Sequence, residues 1–507
     1  MTGTNARPGL PGTNLSRRSV LRAGLAGAGA LGLGGFVSAC SGSSSDSGNT
    51  ITHWDWFVSQ EPWVENEIAL FEKANSGLKI KRTVTQTDAY PDLVSLSFRS
   101  DDLPDVLQIP DTPKFNDQVN DGWYRPLNSL ASEEWIRSFP AYSFVEGVNV
   151  FGGKVYSAPN FTGRGPALQV YINNKVFKDA GLTNADGSVR LPKTWDDVSR
   201  SASIINQKSN GSVHGLGAGN TAGISLFHWM APFLFPAGTP GALSDYGLDR
   251  RKGEYTFSTD RNYTDFLALL KEWMDKEYFH PDTLSWDDEV ARANFATGAF
   301  GMIVGGSWNI LPWRDDHKFT DYSVVSLIGP EATPKGYYQM EPAGYQIAVS
   351  SSTDKAAEAF KWFKWWNGPE ASARSVQEYL IGLSVHPEAN DPAGIDLKPF
   401  ADYVALADTA KLVPSPAVRN PDAAAVSLPP KVTPGIADVI TGLMTGEVKD
   451  LAGALQKLDA DSNAGLDQAI KDAVDGGAKV TREDYVFADW DLTTDYTYES
   501  IPEYPTL

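Results

Sequence analysis

The sequence predicts an α/β protein of two lobes, and three observations carry that expectation. Strand and helix signals alternate from Ile51 to Ile109, the order of an α/β layer with a mostly parallel sheet. A second series of such units begins beyond Gly153, after a loop rich in Gly, Pro and Asn and a β-branched run at Val170–Ile172. At 507 residues the chain is too long for one hydrophobic core. The stretch from Gly153 to Leu182 therefore reads as the first crossover between the lobes, with residues 160–165 facing the gap.

The elements follow in order. Ile51–Phe57 alternates and is rich in β-formers, a first strand. Of its two tryptophans, Trp54 is the better fit to the core. Pro62 opens a helix whose apolar positions Val64, Ile68 and Phe71 share a face, and Gly77 closes it. Leu78–Thr85 is a second strand, Asp88–Phe98 a helix, and Pro104–Ile109 a short buried strand that ends at Asp111. In open sheets of this kind ligands sit beyond the carboxyl ends of the strands, which puts Trp56–Glu61 and Asp111 on one rim. After the crossover, Thr194–Asp197 is a capping box for a helix with Trp195, Val198, Ala202 and Ile205 on one face. Thr221–Phe235 reads as one apolar helix, and Tyr263–Met274 and Glu289–Ala299 as two more. Phe300–Val304 is a strand ending in Gly305-Gly306-Ser307-Trp308, and Tyr322–Ile328 another. Gly344–Ser350 and the helix Lys355–Trp366 form a further unit. From Pro387 to Val474 helices dominate. The stretch Thr481–Leu507 is acidic and aromatic with few helix signals, a candidate strap across a lobe.

Composition narrows the partners. The formal charge is −20, and the first 39 residues hold four arginines and no acid, so the remainder is more acidic still. Such a surface repels nucleic acid and anionic lipid. The six histidines are far apart in sequence, so neither a metal nor another cofactor is expected. The one cysteine, Cys40, rules out an intrachain disulfide. It follows a twin-arginine pattern at Arg17-Arg18 and a Gly/Ala/Leu run too short to span a membrane. Val37-Ser38-Ala39-Cys40 has the form of a lipobox, which makes residues 1–39 a signal peptide and Cys40 a lipidated N-terminus. Residues 41–50 then read as a flexible tether spanning roughly 17 Å. The expected location is the outer face of a cytoplasmic membrane, after twin-arginine export.

The order of motifs resembles that of the extracellular solute-binding proteins of ABC importers, the family 1 group with maltose- and oligosaccharide-binding members. The pieces that carry the likeness include FEKANSG, LPDVLQI, GGKVYSAPNF, YINNKVFKDAGL, PKTWDDV and FATGAFGMIVGGSW, running collinearly from about residue 51 to 385. The resemblance implies a periplasmic-binding-protein-like fold with a ligand cleft between lobes joined by crossing hinge strands. Lobe one would be residues 51–155 plus 335–385, lobe two 156–334 plus 386–480, and 481–507 a tail outside the pattern. It implies a carbohydrate ligand, two permease subunits and their ATPase as partners, and a monomer. Ligand positions would fall on Trp56, Ser59, Gln60, Asp111, Asn160 and Arg164, and on Trp229, Trp308 and Tyr345, with the Arg419-Asn420 segment also in reach.

The chemistry fits, with alternatives open at each residue. Sugars need flat apolar faces for their C–H sides and planar polar groups for their hydroxyls. Trp308 follows two glycines, where a ring can project into a cleft or cover a sheet edge. Trp229 in its apolar helix is core or ligand contact. Asp111 is a hydroxyl acceptor or a helix cap, and Arg164 a donor or a solvated loop residue. The glycines of residues 215–219 lack the spacing of a phosphate loop. Asp287-Asp288-Glu289 is a dense acid cluster, but it sits at a helix start, where acids complement the dipole. A binding protein without bond chemistry is the leading reading. A secreted glycoside hydrolase, or a binder of peptides, polyamines or glycerophosphodiesters, is the alternative.

Overall fold

The computed structural model describes residues 49–58, 60–86, 89–160, 165–220, 225–241, 247–498 and 502–507, all within the unit Gly48–Leu507. Arg17, Arg18, Cys40, Ser59 and Arg164 lie outside the described residues.

Alternating β-formers place β1 (Thr50–Asp55) parallel to β2 (Lys79–Val84), in register from Thr50 opposite Lys79 to Asp55 opposite Val84. On its other side β1 pairs in parallel with β3 (Val106–Gln108). A second set of strands follows the crossover: β4 (Gln169–Asn173), β5 (His214–Leu216), β6 (Phe300–Gly305) and β7 (Tyr322–Val325). Next come β8 (Tyr338–Met340), β9 (Ile347–Val349) and β10 (Ala410–Leu412). The first sheet has the order β9-β3-β1-β2, with β9 antiparallel to β3. The second has the order β7-β4-β6-β5, with β6 and β7 antiparallel to β4. Helices cover both, which gives two α/β lobes.

The first core is built on aromatic rings. Helix Glu61–Ala74 contributes Trp63 and Phe71, and helix Ala356–Trp366 contributes Trp362 and Trp366. Trp63 meets Trp366 edge-on at 4.6 Å and Phe71 meets Trp362 at 5.1 Å. Each such fully buried ring contributes about 1.5–3 kcal/mol by transfer from water. Beside them, the buried face of β1 is polar. His53 and Asp55 are wholly buried, while Trp54 and Trp56 on the opposite face are partly buried and both pack against a neighbouring core cluster, so Trp54 meets the core without being enclosed by it. The reason the polar pair is buried is partner chemistry. Trp362 Nε1 donates to His53 Nδ1 at 3.2 Å, and Arg82 binds Asp55 through both Nε and Nη2 at 2.8 Å. A satisfied ionic network outranks simple alternation.

In the second lobe the capping box forms as expected, with Thr194 Oγ1 accepting from Asp197 N and Asp197 Oδ2 accepting from Thr194 N. Three expectations need correction. The apolar stretch from 221 is two helices, Ser225–Trp229 and Ala231–Ala237, because Pro232 has no N–H to continue the first. The strand from Tyr322 stops at Val325, short of Ile328. Past Pro387 the chain is less helical than its composition suggests, since residues 410–412 form β10, which pairs with β8. Tyr338 and Met340 of β8 pack into the second core, so the chain returns to the first lobe between Met340 and Ile347. It crosses again between Trp366, packed in the first lobe, and Leu383, packed in the second.

Candidate functional site

The first lobe presents a rim where β1 and β3 end and β9 begins, since Ile347 stands opposite Gln108. Trp56, just past β1, has its N–H held by Gln108 Oε1 at 3.1 Å and its ring edge-on to Tyr90 at 5.0 Å. Phe57 N donates to Asp55 Oδ1 at 2.8 Å and Phe57 O accepts from Arg82 Nη2 at 2.9 Å, so the buried ion pair anchors this turn. Burial alone would raise the Asp55 pKa, but Arg82 and His53 reverse that and hold the carboxyl far below the usual range. Asp111 is exposed and caps no helix, because the next helix is capped at Lys114. Tyr345 is 44% exposed, its ring leaning on Phe115 at 4.6 Å. Its phenol titrates above the ordinary value, first through its enclosed surroundings and then through the neighbouring Asp111 carboxylate.

The second lobe answers with the end of β6. Trp308 is 52% exposed in the short turn Ser307–Asn309. The two glycines before it are required by space. A Cβ on Gly305 would stand 1.9 Å from Asn309 Nδ2, and one on Gly306 would stand 2.0 Å from the Trp308 ring, which lies over the Gly306 backbone. Arg292 Nε donates to Asn309 Oδ1 at 2.7 Å, which brings the helix Asp288–Thr297 beside this turn. Asp287 caps that helix by accepting from Val290 N, so the acid cluster is a helix start as its sequence suggests. Asp288 follows it, and its carboxyl is raised first by burial and then by Glu289. Arg292 is a rim residue that sequence reasoning did not single out as a ligand position. It stands 17 residues before Asn309 in sequence, and no local signal announces the contact.

The predicted residues thus divide. Trp56, Gln60, Asp111 and Tyr345 gather on the first-lobe rim, and Trp308 stands on the second. Gln60 lines a crevice of about 390 Å³ with Trp63 of the first lobe, Leu311 and Arg314 of the second, and Tyr379 and Ile381 of the crossing segment. Trp229 is instead core, 4% exposed and stacked on Phe233 at 5.0 Å. Asn160 is buried at the hinge, where its side chain donates to Trp366 O and its carbonyl accepts from Val385 N. Arg419 is turned to the C-terminal tail: its guanidinium sits 3.5 Å over the Phe487 ring and donates to Val486 O. The glycines at 215, 217 and 219 admit Ala202, the Phe300 ring and the Asp287 backbone, a packing role. A hollow of about 870 Å³ lies elsewhere, among Lys178, Arg190, Lys193, Ser323 and Lys398. It contains none of the rim aromatics. Among the described residues no group of three His, Cys, Asp or Glu side chains is placed to hold a metal.

Two α/β lobes joined by crossing segments are the architecture of a bilobal binding protein. The chain belongs to the bacterial extracellular solute-binding protein family, whose model matches residues 58–373. No curated protein sequence matches it. Among solved structures it resembles the GacH receptor of Streptomyces glaucescens GLA.O, known unliganded and with acarbose (15% identity, TM-score 0.58, 81% of this chain and 98% of that one). RafE from Streptococcus pneumoniae is similar too (18%, 0.59, 82% and 98%). So is the cyclic alpha-maltosyl-1,6-maltose binding protein from Arthrobacter globiformis (17%, 0.58, 82% and 98%). These likenesses establish the fold. Among the described residues no helix is long and apolar enough to cross a membrane.

Proposed function

We propose that this chain is the substrate-binding lipoprotein of an ABC importer, which holds a carbohydrate, an oligosaccharide, between its lobes and passes it to two permease subunits. The observation that carries the reading is the pair of solvent-facing rings, Trp308 on one rim and Tyr345 on the other. Each ring turns a flat apolar face to solvent, and a sugar ring offers C–H faces to match both. Asp111 beside Tyr345, and Arg292 beside the Trp308 turn, supply the planar polar groups that hydroxyls require. Trp56 and Gln60 complete the first-lobe side. Structural relatives include receptors solved with acarbose and with raffinose and a cyclic alpha-maltosyl-1,6-maltose binding protein, in keeping with this chemistry.

The function is binding, with lobe closure and no bond made or broken. Export by the Arg17-Arg18 signal and lipidation of Cys40 would hold the protein, as a monomer, at the outer face of the cytoplasmic membrane. The test is a thermal-shift screen against mono- and oligosaccharides, with peptides, polyamines and glycerophosphodiesters alongside. A ligand at a hundredfold excess over its Kd adds about 2.7 kcal/mol to stability. The expected result is a shift with one sugar series and no breakdown of the sugar. A shift with non-sugars alone overturns the carbohydrate assignment, and turnover of any glycan overturns the binding-protein assignment.

A further inference from the structure

The C-terminal tail is fastened to both lobes. On the second lobe Tyr485 is buried in the core, and Arg482 donates to Gly253 O at 2.7 Å and to Asp467 Oδ1 at 2.7 Å. Phe487, Trp490 and Leu492 form a small core with Val413, and the Arg419 guanidinium covers Phe487. Tyr496 N donates to Leu412 O at 3.0 Å. Tyr498 then reaches the boundary. Its hydroxyl donates to Val413 O at 2.8 Å and accepts from Ser415 N at 2.7 Å. Its ring packs with Val418 of the second lobe and Val145 of the first, 5.6 Å from Tyr142.

The last residues bind the first lobe alone. Glu503 O accepts from Tyr142 N at 3.0 Å, and the Tyr504 hydroxyl donates to Phe139 O at 3.0 Å. The Arg137 guanidinium stands 5.2 Å over the Tyr504 ring, and Tyr504 and Leu507 pack on the first-lobe core. Tyr142 is itself left-handed (φ 63°), a conformation disfavoured for a bulky side chain, at the point where the tail docks. Nearby the lobes touch through backbone: a Cβ on Gly147 would stand 2.8 Å from Ala417 O.

We propose that the tail is a strap, a fourth link between the lobes beside the three crossing segments, that holds them in one relative setting. A hinge rotation moves residues 139–148 against residues 413–418, and the tail grips both sides, so its contacts must break for the lobes to swing apart. The strap therefore raises the share of the setting described here and narrows the excursions around it. The inference concerns lobe mobility and holds whatever the cleft carries.

The test is an interlobe distance distribution measured without ligand. In the full chain with Cys40→Ser, spin labels are placed at Lys154→Cys in the first lobe and Lys208→Cys in the second, both exposed. Ending the chain after Tyr498 removes the first-lobe anchor and leaves the second-lobe tail in place. The expected result is a distribution broadened by several ångströms. Tyr504→Ala, a milder change that leaves the backbone bond at Tyr142, should broaden it less. If the shortened chain fails to fold, Tyr504→Ala alone decides. A distribution identical to that of the parent, in a variant whose circular dichroism is unchanged, overturns the strap.

Discussion

Replacing Arg82 with Met tests whether the buried ion pair governs both the stability of the first lobe and the shape of its rim. The Arg82 side chain is 6% exposed and that of Asp55 is fully buried, and two bonds of 2.8 Å join them. Arg82→Met leaves the Asp55 carboxylate with the Phe57 N–H and with His53, whose Nε2 stands 3.2 Å from Oδ2. Removing one partner of such a pair costs about 3–5 kcal/mol, because the other charge stays buried and uncompensated. The penalty belongs to the charge, so Asp55→Asn in the Arg82→Met background should recover about 1–3 kcal/mol, since Asn keeps an acceptor for Phe57 N. The pH dependence has a fixed sign. The folded pKa of Asp55 lies below its unfolded value, so its contribution is complete above about pH 4 and is lost as pH falls further. Urea unfolding followed by tryptophan fluorescence, at pH 7 and at pH 3–4, measures each effect. A cost below about 1 kcal/mol for Arg82→Met, or a double variant less stable than the single one, would refute the reasoning.

Two further substitutions probe the second rim and the tail. In Gly306→Ala the new Cβ would stand 2.0 Å from the Trp308 ring, so the ring must leave its place. The protein should fold while calorimetric affinity for its ligand drops roughly tenfold, about 1.4 kcal/mol, and an affinity within twofold of the parent speaks against the placement of that ring. Tyr498→Phe removes a buried hydroxyl that bridges Val413 O and Ser415 N, and should cost about 1–3 kcal/mol in urea unfolding. A loss under about 0.5 kcal/mol would mean that those backbone groups find other partners.

What the sequence discloses follows the range of the interactions involved. Local signals are legible. The capping box at Thr194, the proline-led helix at Glu61 and the strands of the first sheet depend on neighbours a few residues away, whereas β5 of the second sheet, three residues long, carries no such signal. The rim is legible because strand ends fix it, which is why Trp56, Asp111, Tyr345 and Trp308 fall on it. Long-range partners are not legible. Burial of His53 and Asp55 depends on Arg82 and Trp362, and nothing within the first strand announces either. Asn160 looks like a loop residue until Trp366 and Val385 enclose it. Trp229 lies in a helix whose apolar residues leave both faces open to burial, and only the contact with Phe233 decides. Strand β10 needs β8 beside it, and three residues carry too little periodicity to reveal that.

The two exposed rings are held differently, and that difference predicts the order of binding. Tyr345 leans on Phe115, itself packed against Tyr124 at 5.6 Å and Phe151 at 5.5 Å, so its orientation is set by the first-lobe core before any ligand arrives. Trp308 lies over the Gly306 backbone, and among the described residues no ring packs against it. A preset face loses little freedom on contact, whereas a loosely held one is ordered only when the lobes close on the ligand. Docking on the first lobe followed by closure of the second makes the observed association rate depend on Tyr345 and the dissociation rate on Trp308. Burying and stacking an aromatic ring contributes about 2–3 kcal/mol, which permits a change of ten- to a hundredfold. In stopped-flow fluorescence, Tyr345→Ala should slow association and leave dissociation near that of the parent. Trp308→Ala should speed dissociation and leave association unchanged. The reverse pattern would mean that the ligand meets the second lobe first.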